Sequence, residues 1–129
     1  MDIEHRFDEP ARRVHMRIGE TATGTAVSQR IADLTAARPE VAGWDWIQDV
    51  RNSRGGVDNA DIAMVAEAFA AAPSGPCWTV FVSHDPNLAI WCKVMDAMFN
   101  GRQHRSVLTP EAAIQLLETV RSTPAPSSS

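Results

Sequence analysis

The residues best equipped for chemistry fall in two short stretches. Ser83-His84-Asp85 sets a hydroxyl, an imidazole and a carboxylate side by side, and Arg51, Asn52 and Arg54 add two guanidinium groups and an amide. The first stretch is not a hydrolytic triad. Nucleophile, base and orienter of a triad converge from separate segments, which three adjacent residues cannot do. No Gly-x-Ser-x-Gly elbow is present either. The chemistry these groups fit is recognition, because guanidinium, amide, hydroxyl and imidazole together can hold an anion or a polar head group. Arg51, Asn52, Arg54, Ser83, His84 and Asn87 are therefore the candidate ligand-binding residues. The competing reading is a solvated turn in which Asp85 only caps a helix.

Other chemistry finds little support. His5, His15, His84 and His104 are dispersed, and no pair has the short helical spacing of a zinc motif. No metal or cofactor is expected. His15 is expected to face solvent, and His5, on a face with Ile3 and Phe7, to be hydrogen-bonded and partly buried. Gly55-Gly56 lacks the lysine and hydroxyl of a phosphate loop and reads as a turn. Cys77 and Cys92 have neither metal nor redox spacing and read as reduced core thiols. No set of residues supplies nucleophile, base and charge stabiliser together, so an enzyme is not expected.

The elements that must position these groups are legible in the apolar pattern. Thr79 to Val82 form a short β-rich apolar run, as in a strand covered on both faces. Asp85-Pro86 then starts a helix that reaches Phe99. The stretch is one strand–turn–helix unit of an α/β sheet. Upstream, Ile3–Asp8 and Arg12–Ile18 read as a hairpin with Glu9-Pro10 in its turn. Val14, Met16 and Ile18 share one face and Arg13, His15 and Arg17 the other, the pattern of a half-exposed strand. Thr21 to Arg38 reads as a helix with Val27, Ile31 and Leu34 on one stripe. Trp44–Val50 is the next strand, on its aromatic content. Asp58 caps a helix carrying Ile62, Val65, Ala66 and Phe69 inward. Asn100-Gly101 ends the helix begun at Pro86. Gln103–Leu108 is a last strand, and Thr109-Pro110-Glu111 opens a final helix with Ile114, Leu117 and Val120 on its stripe.

The order is ββαβαβαβα, a single α/β domain over residues 1–121. Three strand–helix–strand crossovers imply a mixed, mostly parallel five-stranded sheet with an antiparallel edge and helices packed on it. Residues 122–129 have nothing to bury and are expected to be a disordered tail. The 129 residues suffice for one core. A formal net charge of -4 argues against nucleic acid, whose partners carry a basic stripe. No apolar run of about 18 residues exists, so no membrane span is expected. The charged start, MDIEHRFDE, lacks a signal-peptide core, and a cytoplasmic location is expected.

The helix from Pro86 to Phe99 is apolar nearly all round, with only Lys93 and Asp96 charged. Leu88, Trp91, Met95, Met98 and Phe99 form one face, and Ile90, Val94 and Ala97 lie largely off it. Such a helix needs cover on more than one side. A second helix and the tail, a protein partner, or an apolar ligand could provide it. Ile90, Trp91, Val94 and Met98 are the candidate interface residues, and a homodimer is one form of that partner.

This order and size resemble the STAS superfamily, and more closely the bacterial SpoIIAA-like (STAS/CRAL-TRIO-like) proteins, from about Ile3 to Val120. The resemblance rests on Asp49-Val50-Arg51 closing the Trp44–Val50 strand, on the Val80–Pro86 strand and turn, and on Val107-Leu108-Thr109-Pro110-Glu111-Ala112-Ala113 with Leu116-Leu117. It implies a non-enzymatic regulatory module acting through protein contacts. Anti-sigma-factor antagonists of this fold are phosphorylated on a serine or threonine at the helix start after the third strand. Here Val57-Asp58-Asn59-Ala60-Asp61 offers no hydroxyl there, so the phospho-switch is not expected. CRAL-TRIO domains bind lipids, which implies the alternative of a small-ligand or lipid-binding module using the Arg51/Asn52/His84 edge beside the apolar helix.

Overall fold

The hydrophobic pattern folds as a β-sheet with helices on both faces. The computed structural model describes residues 2–54, 58–70, 76–99 and 101–122. Its elements run β1 (Ile3–Asp8), β2 (Arg13–Ile18), α1 (Gly24–Ala37), a 3-10 helix (Pro39–Gly43), β3 (Asp45–Asp49), α2 (Asn59–Phe69), β4 (Cys77–Val82), α3 (Asn87–Met98), β5 (Arg102–Val107) and α4 (Pro110–Ser122). The ββαβαβαβα order is the expected one. The 3-10 helix is an addition, formed where Pro39 and Gly43 suggest only a chain break. The glycine pair 55–56, the break at 73–75 and the tail from 123 lie outside the described residues.

The sheet order is β1-β2-β3-β4-β5. β1 runs antiparallel to β2, with Ile3 opposite Ile18. The remaining pairs are parallel, with Trp46 opposite Thr79 and Thr79 opposite His104. Each crossover steps one strand in the same direction. Right-handed connections then put α1, α2 and α3 on one face. That face holds the larger core, with Val14, Met16, Ile18, Trp46, Ile31, Ile62 and Phe69. α4 alone covers the other, on Ile47, Val80 and Val82 through Ala113 and Leu117. β4 is buried on both faces, as its unbroken apolar run requires.

Helix starts follow side-chain capping, which satisfies N–H groups that the first turn leaves unpaired. Thr23 Oγ1 accepts from Ala26 N at 3.1 Å, Asp58 Oδ1 from Asp61 N at 2.8 Å and Thr109 Oγ1 from Ala112 N at 3.1 Å. Asp85 Oδ1 accepts from Asn87 N at 2.9 Å. Pro110 occupies the first turn of α4.

Two buried charges lock the amino-terminal edge of the sheet. The Arg102 guanidinium donates to Trp78 O and Thr79 Oγ1, both at 3.0 Å, and to Ala42 O at 2.7 Å and Trp44 O at 2.9 Å. It also lies over the Phe69 ring. Asp45 takes two bonds from Arg121, at 2.9 and 2.6 Å, and one from Trp78 N at 3.1 Å. The end of α4 is thereby fastened to β3 and β4.

Two expectations on the hairpin change. The second face of β2 is open only at Arg17: Arg13 is buried and His15 half-buried, with His15 Nε2 enclosed and unpartnered among the described residues. In register, His15 lies opposite Arg6, and Arg13 lies between Asp8 and Asp45. His5 is exposed rather than partly buried, because β1 is an edge strand. Its ring meets Phe7 edge-on, and its Nδ1 lies 3.2 Å from Arg30 Nη1.

Candidate functional site

A cavity of about 400 Å³ lies between the sheet and its three crossover helices. It exists because α1 packs closely on α2, whereas α2 and α3 barely touch. Val27 and Ile31 of α1, Ile62, Val65 and Phe69 of α2, and Leu88, Trp91 and Met95 of α3 form its walls. The sheet supplies Gln48, Thr79, Phe81 and His104. Thr23, Gly24, Ser53, Ser83, Asp85 and Asn87 surround its mouth. These follow β2, β3 and β4, so the mouth lies at the carboxyl edge, where open α/β sheets bind ligands.

The volume falls within the usual range of ligand pockets, roughly 300–1,000 Å³. It is between two and three times a cavity of about 150 Å³ that takes benzene in another protein. Its mouth at the carboxyl edge leaves it open to solvent, so an apolar occupant would displace water from an apolar lining.

Two polar side chains on the sheet stand out against the apolar walls. His104 is 2% exposed and Gln48 5%. His104 Nδ1 lies 3.0 Å from Asp96 Oδ1, which also accepts from His104 N at 2.6 Å. The ring is held between Phe99, edge-on at 4.5 Å, and Phe81, stacked at 6.3 Å. Burial pushes the imidazole down to about 4, helped by Arg102 and Arg105 and opposed by Asp96. His104 is thus neutral near pH 7. The Asp96 carboxylate can only accept, which places the ring proton on Nδ1 and leaves Nε2 as a bare acceptor. Neither that Nε2 nor the Gln48 amide has a hydrogen-bond partner among the described residues. Thr79 Oγ1 accepts from Arg102 beneath the cavity. The lining contains two carboxylates, Asp61 and Asp85, and no lysine or arginine.

The six candidate ligand residues separate. Ser83 and Asn87 line the mouth, and Ser83 Oγ accepts from Asp85 N at 3.0 Å. Arg51, Asn52, Arg54 and His84 do not line the cavity. Arg51 is held by Asp49 through two bonds, at 3.0 and 2.7 Å. Burial alone would raise the Asp49 carboxyl, but the Arg51 bonds overcome it and hold the group below its ordinary value. Arg54 pairs with Glu20 at 3.4 Å across open solvent. His84 and Asn52 are exposed. Arg51 is thus tied to Asp49, Arg54 makes only an exposed surface pair, and neither has a contact with His84 among the described residues.

The interface candidates also separate. Trp91 is half-buried and lines the cavity, so it is removed from the outer set. Ile90, Val94 and Met98 are 63%, 38% and 42% exposed, one stripe along α3. Neither a second helix nor any other described residue covers that stripe.

Gln48, Thr79, Asp96 and His104 escape sequence reasoning as site residues. One signal was available. Gln48 stands two residues after Trp46, Thr79 two before Phe81 and His104 two after Arg102. Each is a polar residue in phase with the inward face of its own strand. Their convergence depends on register, which no single strand reveals. No family model, no curated protein and no solved structure matches this chain.

Proposed function

We propose that this chain is a non-enzymatic, STAS-like binding module whose ligand, a small and largely apolar molecule, occupies the cavity between the sheet and α1–α3. One observation carries the reading: a cavity of about 400 Å³ whose apolar walls are interrupted by two polar side chains, His104 and Gln48, with His104 Nε2 and the Gln48 amide unpaired by any described residue. A few polar points on an otherwise apolar lining are the usual composition of a small-molecule site. Binding is favoured over catalysis because His104 Nε2 has no serine, threonine or cysteine nucleophile bonded to it among the described residues.

The test is titration with N-phenyl-1-naphthylamine, an uncharged apolar probe whose fluorescence rises when it leaves water. Wild-type protein is expected to bind it saturably at one site, with a change in Trp91 emission. Val65→Trp, which fills the cavity from α2, is expected to abolish binding while urea unfolding remains cooperative. Saturable binding that survives in Val65→Trp would place the probe elsewhere and refute the reading.

A second reading is favoured by the exposed stripe Ile90, Val94 and Met98, which suits a protein partner or a second copy of the chain. Native mass spectrometry separates the two. A monomer with retained additional mass supports the ligand module. A dimer of bare chain mass that Ile90→Asp dissociates supports the interface.

A further inference from the structure

We infer that the cavity takes an uncharged, largely apolar molecule bearing a hydrogen-bond donor, a hydroxyl or an N–H, seated on Nε2 of His104. This rests on the ligand-binding reading above and specifies its chemical class.

Three observations converge on it. The Asp96 carboxylate fixes the His104 tautomer, so the nitrogen on the far side of the ring from Asp96 can only accept. Phe81 and Phe99 hold the ring from its face and its edge, so that acceptor is fixed in position before any ligand arrives. His104 Nε2 is not among the buried atoms left without a partner, so it is reachable by solvent from the cavity, and a ligand donor there takes the place of water.

Charge excludes the obvious competitor. A carboxylate or phosphate head would meet Asp61 and Asp85 with no cation among the lining residues. Arg102 is nearby but does not line the cavity: its two terminal nitrogens bond Trp78, Thr79, Ala42 and Trp44, and its Nε is buried without a partner among the described residues. Arg105 lies over Trp78 and donates to Gln103, to its neighbour's carbonyl and, at 3.4 Å, to Asp96, and it does not line the cavity. An anion brought into this lining loses its water and gains no counter-charge. Gln48, two strands from His104, offers a second and separate polar point for another group on the same ligand.

The experiment displaces N-phenyl-1-naphthylamine with three molecules of one shape: 4-hexylphenol, 4-hexylanisole and 4-hexylbenzoate. The phenol donates, the anisole only accepts, and the benzoate is an anion at pH 7. Wild-type protein is expected to bind the phenol about tenfold more tightly than either other compound, as one buried hydrogen bond allows. His104→Asn keeps a donor for Asp96 and removes the Nε2 acceptor. It is expected to bind phenol and anisole equally. A second readout needs no variant: the Nε2 resonance of ¹⁵N-labelled His104 should move with the phenol and not with the anisole. Equal binding of phenol and anisole to wild type, or benzoate binding as well as phenol, overturns the inference while leaving the cavity reading intact. Failure of the probe itself to bind wild-type protein overturns both.

Discussion

Acid should destabilise this protein through His104 well before its carboxylates titrate. The imidazole is buried against Phe81 and Phe99 and held down to about 4, from an ordinary value of 6.5. Between those values the unfolded chain takes up a proton that the folded chain refuses. Unfolding is then favoured as pH falls, and the stability that depends on a neutral His104 is complete above pH 6.5 and lost progressively down to about pH 4. At about 1.36 kcal/mol per unit, the loss reaches roughly 3 kcal/mol. That is a large fraction of the stability of a small domain. His15 is also held low, by burial and by Arg6 and Arg13, and contributes with the same sign. Asp2, Glu9 and Asp49 are held below their ordinary values by Thr21, Arg38 and Arg51 respectively. Their contribution is present above the unfolded carboxylate range and is lost only as pH falls through their lower folded values, a window more acid than that of His104. The assay is urea unfolding at constant ionic strength between pH 7 and pH 4, on wild type and His104→Asn. Wild type should lose about 3 kcal/mol more than the variant over that range. Parallel loss in both proteins would show that His104 ionises freely in the folded state and would refute the argument from burial.

Asp45→Ala should destabilise by about 2–4 kcal/mol in urea unfolding, since it strands the Trp78 N–H and frees Arg121; Asp45→Asn, which keeps an acceptor for Trp78, should cost less. Asp58→Ala should cost about 1 kcal/mol by the same measurement, through loss of the cap on Asp61 N. The Cys92 thiol is pushed up to about 11, first by burial and then by Asp96. It should therefore react with a disulfide reagent at pH 8 far more slowly than after denaturation, and equal rates would contradict its burial. Ile90→Asp should leave the unfolding free energy within about 0.5 kcal/mol, because the side chain is 63% exposed; a loss of several kcal/mol would mean that Ile90 belongs to the core.

The sequence by itself determined the strands, the α-helices and their order, though not the 3-10 helix Pro39–Gly43. Periodicity of two in Val14, Met16 and Ile18 and the helical stripe Ile62, Val65, Ala66 and Phe69 are local properties, written wherever one face of an element must be dry. The capping residues Thr23, Asp58, Asp85 and Thr109 are local too, because each bonds to an N–H two or three positions on. Right-handed crossovers then leave little freedom in the sheet.

Only the tertiary structure decided the site. Arg51 and Arg54 look like anion ligands along the chain, but neither lines the cavity; Arg51 bonds Asp49 and Arg54 faces Glu20, pairings that depend on side-chain geometry at the sheet edge. Trp91 and Ile90 are adjacent and both apolar, yet one faces the cavity and the other water, because α3 is covered from one side. Gln48, Thr79 and His104 sit on three strands. They share a surface only because parallel register aligns them and because α2 and α3 stand apart above it. Short-range order follows from each residue's neighbours in the chain, whereas a cavity is a gap between elements and has no sequence of its own.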